Sequence, residues 1–270
     1  MRKISYKGSD SCELYAWTTG LAASHVTVLL HGGGPDHMSL VPLAHRLSDL
    51  TEVVVPDIRG YGESVCTDLH RYTWKQYSED VLSLLDHLNA GKVVVGGTGL
   101  GATISLRFAL EYPHRAEAII PISIEDIEDD EAKKLEIAFM DAFSDRVRTQ
   151  GIMAGWEPIL DDLAPVIRTL VEDAIPRANP GSIAAAAAIG HDRSFQSLND
   201  LNEIDVPALI IPGMDHRHPP ELAKQIAEII PNGRLADAGM NPDLKTADDL
   251  ARECAPAIRK FIMELKALNS

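Results

Sequence analysis

Short runs of β-branched residues alternate with helical patterns along most of this chain, and no other feature narrows its fold so far. Strands joined through helices pair in parallel, and a sheet built that way is covered on both faces. Ser24 to Leu30 reads as one strand and runs into the loop His31-Gly32-Gly33-Gly34-Pro35. Glu52 to Pro56 is the next and leads into Asp57 to Ser64. Tyr77, Val81, Leu84, Leu85 and Leu88 then fall at helical spacing within residues 73–89. Lys92 to Gly96 is a buried strand, followed by a glycine-rich turn and a helix through about Tyr112. Ala116 to Ser123 makes a further strand. It stops in the acidic stretch Glu125 to Glu131, which reads as a solvated loop or helix start.

The alternation breaks over residues 125–203. Ala132–Thr149, Pro158–Ala174 and Ser182–Gly190 look helical, and an alanine run fills 184–188. Lying between two strands, this stretch is expected to form a helical lid, or cap, over the carboxyl edge of the sheet. The core is then 1–124 together with 204–270. Alternation resumes with Val206 to Ile211, a helix at 220–229, the short strand Arg234 to Ala236 and an amphipathic helix over about 246–267. No internal repeat is visible, nor a linker long enough to separate independent domains.

Composition sets outer bounds. The 270 residues suffice for a large core, and 45% hydrophobic with 24% charged residues is ordinary for a soluble globular protein. A formal net charge of −15 argues against a nucleic-acid or anionic-membrane surface, because both would repel it. No apolar run approaches the roughly 18–20 residues that span a bilayer. The two early basic residues of MRKISYKGSD are not followed by an apolar segment, so no secretory signal is expected. Cys12, Cys66 and Cys254 are odd in number and widely spaced, which fits reduced thiols in a cytoplasm. The expected location is cytoplasmic.

Three landmarks carry a resemblance. His31-Gly32-Gly33-Gly34-Pro35 resembles an oxyanion loop after a third strand. Pro56-Asp57-Ile58-Arg59-Gly60-Tyr61-Gly62-Glu63-Ser64 resembles the P-D-x-R-G-x-G-x-S segment after a fourth. Gly97-Thr98-Gly99-Leu100-Gly101-Ala102 sits where a nucleophile elbow belongs. In this order and at these separations they are similar to the α/β-hydrolase superfamily of esterases, lactonases and C–C hydrolases. The resemblance runs from about residue 13 to the C-terminus. It implies an α/β-hydrolase fold: a mostly parallel twisted sheet flanked by helices, with an inserted helical lid.

In that fold a G-x-S-x-G turn holds a strained serine with its hydroxyl exposed. If Thr98 were the nucleophile, Leu100 would stand at the last required glycine. If position 99 is, Gly97 and Gly101 flank it correctly, and the helix that follows, Ala102 to Pro113, also fits. The nucleophile position is therefore read as Gly99. Glycine relieves backbone strain there and removes any side-chain nucleophile.

The resemblance also implies a histidine after the last strand, in a Gly-His pair. Here Gly239 is followed by Met240, and no histidine occurs after His218. Methionine cannot accept a proton at working pH. The implied acid belongs to a G-x-x-D segment, but Gly213-Met214-Asp215-His216 puts His216 at the aspartate's position and Asp215 one residue early. Glu125 or Asp126, after the sixth strand, are alternatives. The triad is thus expected to be degenerate, with no histidine for an acid to orient.

Backbone donors survive such a loss. The N–H groups near Gly33 and Gly34, with that of Leu100 at a helix N-terminus, are expected to attract a carbonyl, enolate or carboxylate. Around them His31, Asp36, His37, Thr98, His216, Arg217 and His218 are expected, with Trp156 and His191 from the lid. For His31 a bracing role in the loop competes with ligand contact, and for His216 and His218 loop packing does. The His216/His218 pair lacks a third ligand for a metal. No cofactor is implied. Three functions stay open: a non-hydrolytic enzyme acting on a small carbonyl-containing metabolite, a pseudo-enzyme binding a ligand or partner, and a hydrolase with an unrecognised nucleophile. The expected partner is a small-molecule ligand or substrate, with no nucleic acid and no membrane; a homodimer stays open.

Overall fold

Alternating burial begins before any of the motifs. In the computed structural model, which describes residues 1–20, 25–125 and 130–268, β1 (Arg2–Lys7) buries Ile4 and Tyr6, and β2 (Glu13–Thr18) buries Leu14, Ala16 and Thr18. The two form an antiparallel hairpin that the sequence reading passed over. β3 (Val26–Leu30), α1 (Val41–Leu47), β4 (Glu52–Pro56), α2 (Trp74–His87), β5 (Val93–Thr98), α3 (Leu100–Glu111) and β6 (Ala116–Ile122) follow in strict alternation. After a helical segment come β7 (Ala208–Ile210), α8 (Pro220–Ile229), β8 (Gly233–Leu235) and α9 (Ala247–Leu268). The strands lie in the order β1-β2-β4-β3-β5-β6-β7-β8, parallel from β4 to β8. β2 runs antiparallel to β4 and closes the pattern on one side.

Neighbouring residues on a strand face opposite sides, and the core divides accordingly. Val53 and Val55 of β4 pack with Leu29, Ile120 and the buried faces of α1 and α9. Val54 joins Val28, Val95, Ile119 and the faces of α2, α3 and α8. α2 starts where Thr73 caps it, its side chain accepting from the Gln76 N–H.

Between β6 and β7 the described residues 130–203 are helix, turn and loop: α4 (Asp130–Gln150), α5 (Ile152–Trp156), α6 (Pro165–Ala174), α7 (Pro180–Ala186) and four 3₁₀ segments. The helix expected over Pro158–Ala174 starts only at Pro165. A residue before proline avoids the helical region, and Ala164 is held at φ −51°, ψ 139°. The helix expected over Ser182–Gly190 starts at Pro180, capped by Asn179, and tightens into a 3₁₀ segment, Ala187–His191. Ser24 and Asp126, assigned above to a strand and to an acidic run, lie outside the described residues.

Two devices fix the loops that matter for the site. Arg59, whose side chain is fully buried, donates from Nε and Nη2 to the Asp80 carboxylate (2.8 and 2.7 Å) and from Nη1 and Nη2 to Asp10 (2.9 and 3.0 Å). It ties the loop after β4 to α2 and to the β1–β2 turn. The second device is close approach. A Cβ on Gly97 would stand 2.3 Å from the Leu30 carbonyl oxygen, and one on Gly101 2.2 Å from the same atom. Backbone cannot move aside as a flexible side chain does. Gly97→Ala is therefore expected to lose about 3 kcal/mol or more in urea unfolding. Gly91→Ala, where a Cβ meets open space, is expected to stay within about 0.5 kcal/mol.

Candidate active site

β5 ends at Thr98 and α3 begins at Leu100, so Gly99 alone makes the turn. Its φ of +50° is left-handed, a region in which a side chain is strained. Its N–H points back to the Ile122 and Ser123 carbonyls, at 3.1 Å each. The N–H of Leu100, first residue of α3, has no acceptor among the described residues, and neither has that of Gly33 in the loop beside it. Two free donors therefore stand next to the turn, one of them at the positive end of a helix dipole.

A Cβ placed on Gly99 would be 3.6 Å from His218 Nε2, 3.7 Å from Glu125 Oε1 and 3.8 Å from Gly32 Cα. The imidazole is not adventitious there. His218 Nδ1 lies 2.7 Å from Asp215 Oδ1, and the two side chains are 8% and 6% exposed. Asp215, expected above to have no imidazole to orient, thus holds one three residues away. The chain makes this possible by a turn: the His218 N–H donates to the Asp215 carbonyl at 3.1 Å, bringing positions 215 and 218 together. Backbone N–H groups of Arg217, His218 and Ala164 also point at the Asp215 carboxylate (3.1, 3.0 and 3.2 Å). Burial pushes its pKa up, but the hydrogen bond and charge of His218, helped by these N–H groups, hold it below the usual carboxylate range. With Nδ1 engaged by a carboxylate, Nε2 is left to accept a proton from whatever lies over Gly99.

Glu125 responds to its surroundings the other way. Burial raises its pKa, and the charges of His218, Arg217 and Lys133 offset that only in part, while Glu136 adds to it. Ser123, between Glu125 and the end of β6, has φ +53° and a buried hydroxyl with no hydrogen-bond partner. Non-glycine residues at positive φ concentrate at functional sites.

These groups border a cavity of about 100 Å³. Its polar edge includes Thr98, Ser123, Glu125 and His218; its walls are apolar, with Phe139, Met140, Phe143 and Trp156 from the helical segment and Met240 from beyond β8. A wetter space of about 450 Å³ adjoins it, lined by Lys133, Glu136, His216 and Arg217. Arg217 is bound there by both Glu136 oxygens, at 3.0 and 3.1 Å.

The residues singled out from the sequence distribute unevenly. Gly33, Thr98, Trp156, Arg217 and Met240 line the inner cavity, while Leu100 and the exposed His216 line only the outer one. Gly34 packs behind Trp156 and Val171. His31 is fully buried, Nδ1 against the Gly32 carbonyl and Nε2 accepting from the Ile58 N–H, so it braces the loop. His37 is remote from both spaces: its ring bonds Asp57 at 2.8 Å and stacks on Trp17 at 3.4 Å. Asp36 pairs with Arg177, and His191 pairs with Asp141 at the surface. Sequence reasoning had not joined His218 to Asp215 nor placed Ser123 in the pocket, and it had offered Glu125 only as an alternative acid. The signal that could have joined the first two is local: a D-x-x-H run before proline turns its ends together. Among the described residues no group of three His, Cys, Asp or Glu side chains could hold a metal ion, and no helix is long and apolar enough to cross a membrane.

Comparison with known proteins bears on the whole of this frame. The chain is 24% identical over 268 residues to the 2-hydroxymuconate semialdehyde hydrolase of Pseudomonas putida, covering 90% of this chain and 89% of that one. A local match, 38% identical over 95 residues, covers 34% of the magnesium-chelatase 30 kDa subunit of Rhodobacter capsulatus and 35% of this chain. Among solved structures, a thermophilic esterase from Thermogutta terrifontis superposes with a TM-score of 0.80 at 24% identity, over 98% of this chain and 99% of the esterase. A model of the alpha/beta hydrolase family matches residues 27–249, most of the length. The strand order, the glycine turn after β5 and this match agree: the chain belongs to the alpha/beta hydrolase family.

Proposed function

We propose that this protein binds a small, largely apolar carbonyl compound over Gly99 and moves a proton on it with His218, without forming a covalent acyl-enzyme. The observation that carries this reading is the Asp215–His218 pair, aimed at a turn whose own residue has no side chain. Asp215 fixes the tautomer and orientation of the imidazole, and Nε2 acts as general base. The N–H groups of Gly33 and Leu100 receive the carbonyl oxygen as it gains charge. Residues 130–203 serve as the lid, supplying the apolar walls that exclude water and strengthen these interactions.

The test is carbon-acid exchange. Phenylacetone in D2O should exchange its α-hydrogens faster with the protein than with free imidazole at equal concentration, as read by proton NMR. His218→Gln should lower that exchange by about 10²-fold or more. Exchange no faster than with free imidazole would sink the reading.

A second reading rests on Ser123. Its strained backbone and orphan hydroxyl in the cavity make it a candidate for a relocated nucleophile, and hydrolysis would follow. Since His218 makes no hydrogen bond to that hydroxyl, the first reading is preferred. A fluorophosphonate adduct mapped to Ser123 would reverse the preference.

A further inference from the structure

We propose that Glu125 is the proton donor of this site, and that with His218 it makes a two-group isomerase acting on β,γ-unsaturated ketones. The inference rests on the reading just given and adds the reaction type and substrate class. Its basis is geometric. His218 Nε2 and Glu125 Oε1 reach the same point over Gly99, within 3.6 and 3.7 Å, yet arrive from different loops, one after β7 and one after β6. No hydrogen bond joins the two side chains among the described residues, so a molecule over Gly99 meets both.

Their environments divide the labour. Charges facing Glu125 are those of His218 and Arg217 from the turn after β7 and of Glu136 and Lys133 from α4; Tyr61 from the loop after β4 also faces it. Burial prevails over the cations and keeps the carboxyl protonated to higher pH than an ordinary glutamate. His218 is held by a carboxylate and presents a lone pair. A carboxyl that burial keeps protonated and an imidazole oriented by a carboxylate thus face one point, the first placed to give a proton and the second to take one.

The step balances. Nε2 of His218 takes the proton from the carbon between the carbonyl and the double bond, and the C–H electron pair enters a dienolate. Its oxygen is held by the N–H groups of Gly33 and Leu100. The far carbon of the dienolate then takes the proton of the Glu125 carboxyl, whose O–H electron pair stays on the carboxylate. The conjugated ketone leaves, and solvent exchange moves a proton from the His218 imidazolium back to Glu125. No oxidant, reductant or attacking water takes part. At about 100 Å³ the inner space is smaller than the roughly 150 Å³ apolar cavity that accepts benzene, so a one-ring ketone extends from it past Glu125 into the adjoining space of about 450 Å³.

The probe is the cyclohexenone whose double bond lies out of conjugation, followed in D2O by the ultraviolet absorbance of the conjugated product and by NMR of the α-position. Wild type should isomerise it and exchange its α-hydrogen. Glu125→Gln, with unchanged circular dichroism, should lose about 10²-fold or more in isomerisation and much less in α-exchange. His218→Gln should lose both. Unchanged isomerisation in Glu125→Gln overturns the assignment of Glu125 and leaves the base intact. A wild type that neither exchanges nor isomerises the probe overturns the acid–base site altogether. The infrared difference between wild type and Glu125→Gln, followed as the pH is raised, gives a check that needs no substrate. The protonated carboxyl band is expected to persist above the ordinary glutamate range, and its loss within that range overturns the proposal.

Discussion

Gly99→Ser is expected to create a serine that a fluorophosphonate labels at position 99, together with hydrolysis of p-nitrophenyl acetate at least about 10³-fold above wild type. Room for the side chain exists, since the nearest heavy atoms to a Cβ at this position are at 3.6–3.8 Å, ordinary van der Waals contact. The backbone already has the conformation of a nucleophile elbow, and a non-glycine residue at φ +50° costs about 1–3 kcal/mol. From that Cβ an Oγ is carried toward His218 Nε2, and the N–H groups of Leu100 and Gly33 are placed for the oxyanion. Adding His218→Gln to the serine variant should remove about 10³-fold or more of the new rate, because a serine without its base is a poor nucleophile. A folded serine variant that stays unlabelled would show that the imidazole is not aimed at the turn.

Arg59→Met is expected to cost about 3–5 kcal/mol, because it strands the buried Asp80 carboxylate that the guanidinium now holds with two hydrogen bonds. For a chain of this length that is a fall of roughly 10 °C in Tm. Burial already raises the pKa of Asp80 against the pull of Arg59. With Arg59 gone the carboxyl rises further, so its penalty applies at pH values above the ordinary Asp range and fades as acid protonates it. Melting curves should therefore converge with those of wild type toward low pH. A loss below about 1 kcal/mol at neutral pH would mean that the network is structurally dispensable.

The fold was legible because its signals are local and repeated. β-branched runs, a capping threonine at 73 and glycines at 97 and 101 each state their own geometry, and three motifs in order leave little choice of topology. The hairpin of β1 and β2 was missed although its alternation of buried and exposed residues is written in six-residue strands. In the helical segment, proline overrode periodicity at Pro165.

The site was legible only in part. Gly99 and the apolar Met240 could be read from order along the chain. His218 could not, because the resemblance implies a histidine after the last strand, whereas the turn after β7 brings this one beside Gly99. His216 and His218 look equivalent in one dimension; the turn sends one outward and folds the other onto Asp215. His37 shows the opposite error: a histidine two residues past the glycine loop is drawn away by a buried partner, Asp57. For Glu125, nothing in the sequence separates a solvated acid from one that lines a cavity with Phe139 and Tyr61.

The turn from Asp215 to His218 has a consequence for how this kind of site can change. When a base and its orienting acid come from separate loops, any shift of one loop spoils the pair, so both must vary together. Here the two are the ends of four consecutive residues closed by one backbone hydrogen bond, and the pair travels as a unit. With His218 as the proposed base, the stretch from Ala236 to Thr246 need not supply a proton acceptor and is free to be lengthened, shortened or recruited to contact a ligand. The turn itself is a portable cassette: set into the corresponding loop of a relative, it should carry its imidazole with it.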